Sequence, residues 1–141
     1  MTPEGTLIGF DFGERRIGVA VGETSTRIAN PLGAIDAVAN EVRFEAIGRI
    51  VDEWQPKAFV VGIPHHSDDS EHAIARLAEK FARRLQARYN LPVEFIDETL
   101  TSAIAESQLR ETRTRKARKS DVDALAATMI LQSYLDALER P

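Results

Sequence analysis

The stretch Gly9-Phe10-Asp11-Phe12-Gly13-Glu14-Arg15-Arg16-Ile17-Gly18-Val19-Ala20-Val21-Gly22 decides the fold. Residues 7–12 are apolar apart from Asp11 and lie between Gly5 and Gly13, which reads as a buried strand. A short polar turn through Glu14, Arg15 and Arg16 leads into the apolar run 17–21, so the pair predicts a β-hairpin. One carboxylate, Asp11, interrupts the first apolar run. Burying it costs several kcal/mol unless it is paired or coordinated, so Asp11 is the position most in need of a functional explanation. The bland alternative is a turn cap at Gly13, a role short polar side chains fill well.

Working outward, residues 28–35 make a weaker third strand interrupted by Pro31 and Gly33, which predicts a sheet edge. A helix follows, capped by Asn40, with Val42, Ala46, Ile47, Ile50, Val51 and Trp54 at helical spacing and Pro56 as its stop. Residues 58–63 form an uninterrupted apolar run, as in the middle of a parallel sheet. After a polar loop at 64–69, a second helix carries Ile74, Leu77, Ala78, Phe81 and Leu85 on one face. Val93-Glu94-Phe95-Ile96 is a fifth strand, residues 102–110 a third helix, and 110–119 reads as a mobile basic loop. The last helix starts near Ser120 or Asp121 and runs to about Leu138, with Val122, Leu125, Ala126, Met129 and Ser133 along one stripe. The order β-β-β-α-β-α-β-α-α predicts an α/β domain: a mixed sheet with helices on both faces.

The chain of 141 residues suits one domain spanning 1–141 and a real core. With no cysteine, thiolate metal sites, disulfides and cysteine nucleophiles are excluded. The N-terminus, Met1-Thr2-Pro3-Glu4-Gly5, has no basic or apolar leader, and no apolar run nears the length of a membrane span. A cytoplasmic protein without membrane contact is expected. The formal net charge of −4, from 18 Lys and Arg against 22 Asp and Glu, argues against a uniformly basic nucleic-acid binder. A local one remains open. Between Arg110 and Lys119 six cations (Arg110, Arg113, Arg115, Lys116, Arg118, Lys119) face Glu111 alone, next to the helix carrying Asp123. A basic stretch with little apolar content beside an acidic site suits phosphate-backbone binding, against the plainer reading of a solvated charge run. Arg15 and Arg16 in the hairpin turn would add phosphate contacts near Asp11.

In open α/β sheets ligands gather at the carboxyl ends of parallel strands. Asp11 ends the first strand, Asp97 and Glu98 end the fifth, and Asp121 and Asp123 open the last helix. Asp97 and Glu98 point to opposite faces if the strand continues. Asp121 also fits a plain stabilising charge at a helix N-terminus. Ser120 and Asp123 fit a capping box equally well by spacing. Convergent carboxylates without Cys or a clear His set suit Mg²⁺ or Mn²⁺, and such ions activate water and stabilise the leaving oxygen of a phosphodiester. In the loop, His66, Asp68 and His72 could form a separate metal cluster, but a solvated polar loop is the preferred reading.

The opening stretch, followed in order by Val60-Val61-Gly62-Ile63-Pro64, Asp97-Glu98-Thr99-Leu100-Thr101, Val122-Asp123-Ala124-Leu125-Ala126-Ala127 and Ile130-Leu131-Gln132-Ser133-Tyr134-Leu135, resembles the YqgF/RuvX family over nearly the whole chain. This is a ribonuclease H-like group described as Holliday junction resolvases and as nucleases maturing the 5′ end of 16S ribosomal RNA. The resemblance implies a five-stranded mixed sheet in the order 3-2-1-4-5 with strand 2 antiparallel. It also implies an acidic site of Asp11, Glu98 and Asp123, with Asp121 as a further candidate metal ligand. Two departures stand out: Thr99 replaces the Arg usual after Asp-Glu, and a His-rich loop replaces a Gly-containing one after Pro64.

The expected function is a two-metal-ion nuclease processing the 5′ end of 16S rRNA precursor. Alternatives are a Holliday junction resolvase on branched DNA, which would need a homodimer for symmetric cuts, and a non-catalytic nucleic-acid binding factor in transcription or ribosome assembly. The Asp-x-Gly hairpin also resembles the phosphate-binding opening of actin-like ATPases and sugar kinases. Those close two such domains over ATP, and one domain is read here.

Overall fold

The structure, a computed structural model, describes residues 4–63, 69–97 and 119–138. Its elements are β1 (Thr6–Asp11), β2 (Arg16–Glu23), β3 (Ile28–Asp36), α1 (Asn40–Trp54), β4 (Ala58–Ile63), α2 (Asp69–Tyr89), β5 (Val93–Asp97) and α3 (Lys119–Ala137). The strands form one sheet in the order β3-β2-β1-β4-β5. β2 runs antiparallel to both β1 and β3, while β4 is parallel to β1 and to β5. This matches the expected 3-2-1-4-5 order. Pro31 sits in edge strand β3, where a missing N–H is tolerated, and the β2–β3 register shifts there by one residue to form a bulge.

Strand alternation divides the sheet into two faces. Ile8, Phe10, Ile17, Val19, Phe59 and Val61 point toward α1 and α2 and share a core with Phe44, Ile47, Phe81 and Leu85. Leu7, Ala20, Ala58 and Val60 point toward α3 and pack on Ala127, Ile130, Leu131, Tyr134 and Leu135. Among the described residues, no helix is long and apolar enough to cross a membrane.

Three local expectations change. Asn40 is the first residue of α1, not its cap; the N-cap is Ala39, in extended conformation and without a side-chain cap bond. Val42 and Leu77 are exposed instead of core, and the buried α1 residues are Arg43, Phe44 and Ile47. The stripe expected on the last helix is rotated: Ser133 is exposed, and Ala127, Ile130, Leu131, Tyr134 and Leu135 meet the sheet. Apolar residues surround α3 on most sides, so spacing alone could not select the packed face. The expected helix at 102–110 lies outside the described residues.

Candidate active site

Asp11 closes β1, half-buried, paired across the sheet with Gly18 of β2 on one side and Gly62 of β4 on the other. Its parity with Leu7 and Gly9 turns it to the α3 face. That face is unusually open, because Gly9, Gly18 and Gly22 bring no side chains to it. α3 settles into the space. A Cβ on Gly9 would lie 2.8 Å from Leu131 Cβ, and one on Gly18 only 2.0 Å from the carbonyl oxygen of Asp123. Any residue but glycine at 18 would push the helix backbone away. Facing Cα atoms in an antiparallel pair are roughly 5 Å apart, so this close approach sets Asp123 against the position directly across from Asp11.

Arg16 belongs to the same face, two residues before Gly18. Its Nε donates to Asp123 Oδ2 at 2.6 Å, and both side chains are about three-quarters buried. The hydrogen bond to Asp123, reinforced by its charge, raises the Arg16 guanidinium above its usual pKa, so it stays cationic at any working pH. Asp123 therefore does not cap its own helix. α3 begins at Lys119, which leaves Ser120 inside the helix, and the Asp123 carboxylate turns to β2. The capping-box alternative falls on this geometry.

Among the described residues, the other candidates take different positions. Asp121 is exposed, and two residues along a helix turn it about 200° from Asp123. Asp97 faces Ile63 across β4–β5 and takes the α1/α2 side, opposite to Asp11. Arg15 is exposed at the hairpin turn, lining a shallow groove with Glu14, Arg16 and Asp36. His72 is exposed on α2. Glu98, Arg113, Arg115, Lys116, Arg118, His66 and Asp68 lie outside the described residues, and Lys119 enters only as the first residue of α3. Among the described residues, no group of three or more carboxylates or histidines forms a metal cluster.

One residue that supports the site is not among the candidates the sequence offers. Arg43 on α1 is 4% exposed. Its Nη2 donates to the carbonyls of Gly13 (2.8 Å) and Glu14 (2.6 Å), and its Nε to that of Ala37 (2.6 Å). Burial lowers its pKa, and its guanidinium lies 5.5 Å from the centre of the Phe12 ring. Arg43 thus ties the hairpin turn that follows Asp11 to α1. Its signal was present: with Ile47, Ile50 and Trp54 it shares the inward phase of α1, where an unpaired cation would be costly.

The sequence matches the family model described as RuvX, Holliday junction resolvase, over residues 5–137. It is 54% identical over 134 residues to a protein of Dechloromonas aromatica (strain RCB) named "Putative pre-16S rRNA nuclease", covering 94% of this chain and 92% of that one. A protein of the same name from Methylobacillus flagellatus is 51% identical over 135 residues, covering 95% and 92%. Among solved structures, T. thermophilus RuvC in complex with Holliday junction substrate aligns with a TM-score of 0.57 at 16% identity, over 94% of both chains. The yeast mitochondrial Holliday junction resolvase Ydc2 aligns at 0.59 and 9% identity, over 96% of this chain and 79% of that one. At such identities these likenesses establish the fold, which is ribonuclease H-like. With a match that takes in the glycine-lined hairpin and the helix seated on it, the chain belongs to the RuvX (YqgF) family.

Proposed function

We propose that this protein is a divalent-metal-dependent endonuclease that hydrolyses phosphodiester bonds in structured nucleic acid, with the 5′ end of the 16S rRNA precursor as substrate. The observation that carries the reading is the seat of α3 on Gly18, which brings Asp123 to the strand position across from Asp11. Two carboxylates on one sheet face, at the carboxyl end of β1, make an all-oxygen site suited to hard cations. Arg16 supports the fit: a cation already rests on Asp123 Oδ2. Asp11 and Asp123, joined by Glu98 as the family resemblance implies, would hold Mg²⁺ or Mn²⁺, which supplies water activation and neutralisation of the leaving oxygen.

The protein's own groups supply the rest. Gly18 fixes the spacing of the two carboxylates. Arg43 holds the turn that carries Arg15 and Arg16. Those two cations stand where a scissile phosphate would approach, with the basic residues Arg113, Arg115, Lys116, Arg118 and Lys119 as the proposed wider backbone contact. This reading assigns the single domain to the cytoplasm, where ribosomal RNA precursor is made. An RNA cut needs only one copy of the chain. The name of the matched family model favours a second substrate, branched DNA, for which paired cuts would require a homodimer.

The test offers a 16S precursor with its 5′ leader and a Holliday junction to the purified protein with Mg²⁺ or Mn²⁺, beside Asp11→Asn. Cleavage at the 5′ leader should fall by more than about 100-fold in the variant, beyond what loss of an outer-sphere partner causes. Cleavage of the junction alone would shift the substrate to DNA. Equal cleavage by both proteins would remove Asp11 from the mechanism, and binding without metal-dependent cleavage would leave a non-catalytic factor.

A further inference from the structure

α2 presents a row of cations that the proposed site does not use. Arg76, Lys80, Arg84 and Arg88 recur every fourth residue, and Arg83 adds a fifth charge beside them. Between His72 and Tyr89 the lone carboxylate is Glu79, in a chain whose overall balance is acidic. Arg76, Lys80, Arg83 and Arg84 are exposed, and none forms an ion pair with a described carboxylate. Four residues of helix advance about 6 Å, so the row places one cation per turn over roughly 18 Å. That step is close to the separation of neighbouring phosphates along an A-form strand.

The row has a defined place. The row winds gradually round α2 toward the side that Ala78, Phe81, Ala82 and Leu85 fix in the core, with Arg76 farthest from it and Arg88 at its edge. Lys80 and Arg84 line a cleft of about 280 Å³ together with Phe12, Glu14, Asn40 and Arg43. Arg88 lies 4.4 Å over the Phe44 ring, which holds the far end of the row against α1. Phe12 follows Asp11 directly. The cleft therefore opens at the same end of the sheet as Asp11, on the other side of the hairpin turn that carries Arg15 and Arg16.

We infer that the α2 row is a second backbone-binding track, which grips the phosphates of duplex nucleic acid flanking the cut and so sets its distance from Asp11. The ligand is a regular polyanion, because the cations are periodic, exposed and free of described carboxylate partners, and the aromatic groups beside them are occupied within the core. The inference rests on the nuclease reading for its substrate.

The test measures binding, with cleavage disabled. A 16S precursor duplex is titrated by fluorescence anisotropy over a range of salt, using Asp11→Asn as parent and Asp11→Asn with R76Q, K80Q and R84Q as variant. Affinity should fall at least tenfold at low salt, and the slope of log K against log salt should flatten by about 2 to 3, near 0.9 for each phosphate that is no longer neutralised. Arg49→Gln, an exposed cation of α1 paired with Glu45, should leave the slope unchanged. If the triple variant unfolds, K80Q and R84Q singly should each flatten the slope by about 0.9. An unchanged slope in a folded variant overturns the track and leaves the nuclease reading intact. A parent that does not bind at all fails both.

Discussion

The two faces of the sheet are built from alternate residues of the same strands, yet they do different work. The face under α1 and α2 is filled by large side chains. Phe81 stacks edge-on to Phe10, with centroids 5.5 Å apart, and contacts Phe12 and Phe44 as well. The face under α3 is stripped at Gly9, Gly18 and Gly22, so that a helix backbone can reach it. One face supplies apolar burial, and the other gives up part of that burial to seat the Asp123 backbone on Gly18, the strand partner of Asp11. The packed core and the proposed site are thus divided by strand parity.

If this separation holds, substitutions on the two faces should fail differently. The largest expected effect is Phe81→Ala, which removes the centre of the aromatic cluster. It should cost about 3–5 kcal/mol in denaturant unfolding. The protein that remains folded should keep its turnover per active molecule, and a specific loss of turnover would breach the division. Gly18→Ala comes next, since its methyl would meet the Asp123 carbonyl at 2.0 Å. A cost of about 1–3 kcal/mol is expected from overpacking. Cleavage should fall further than the folded fraction does, and a variant with full turnover would show that the α3 seat does not set the site. Arg16→Ala should have the smallest effect. The two side chains keep 26% and 22% of their surface exposed, so water can take over the Asp123 carboxylate and thermal unfolding should move less than for Gly18→Ala. Loss of the competing cation should raise Mn²⁺ affinity a few-fold by calorimetry, and the salt slope of nucleic-acid binding should flatten by about 0.9. Weaker Mn²⁺ binding would instead make Arg16 a support for the ligand geometry.

Much of this was legible from residues 9–22 onward. The hairpin, the edge strand marked by Pro31, the buried run of β4 and the polar end of β1 each have a local cause in turn chemistry or apolar periodicity. What stayed hidden depended on tertiary contact. Ser120 and Asp123 have capping-box spacing, and only the bond from Arg16 of β2 shows that the Asp123 carboxylate is engaged elsewhere. The packed face of α3 is not legible from spacing, because its apolar residues do not single out one stripe. The role of Arg43 is harder to read, because its phase on α1 marks it as inward but its partners, the carbonyls of Gly13, Glu14 and Ala37, leave no mark in the sequence. At the site, the apolar run around it singled out Asp11 and the family resemblance singled out Asp123, while the seat of the Asp123 backbone across from Asp11 follows from a glycine two residues beyond Arg16.

The central claim is that Asp11 and Asp123 form one cation site. Calorimetric titration with Mn²⁺ of the wild-type protein, Asp11→Asn, Asp123→Asn and the double variant tests it directly. Each single change should weaken binding by about tenfold or more, and the double change should cost clearly less than the two combined, as neighbouring groups in one site do. Unchanged Mn²⁺ affinity in either single variant, or strictly additive losses, would contradict the account.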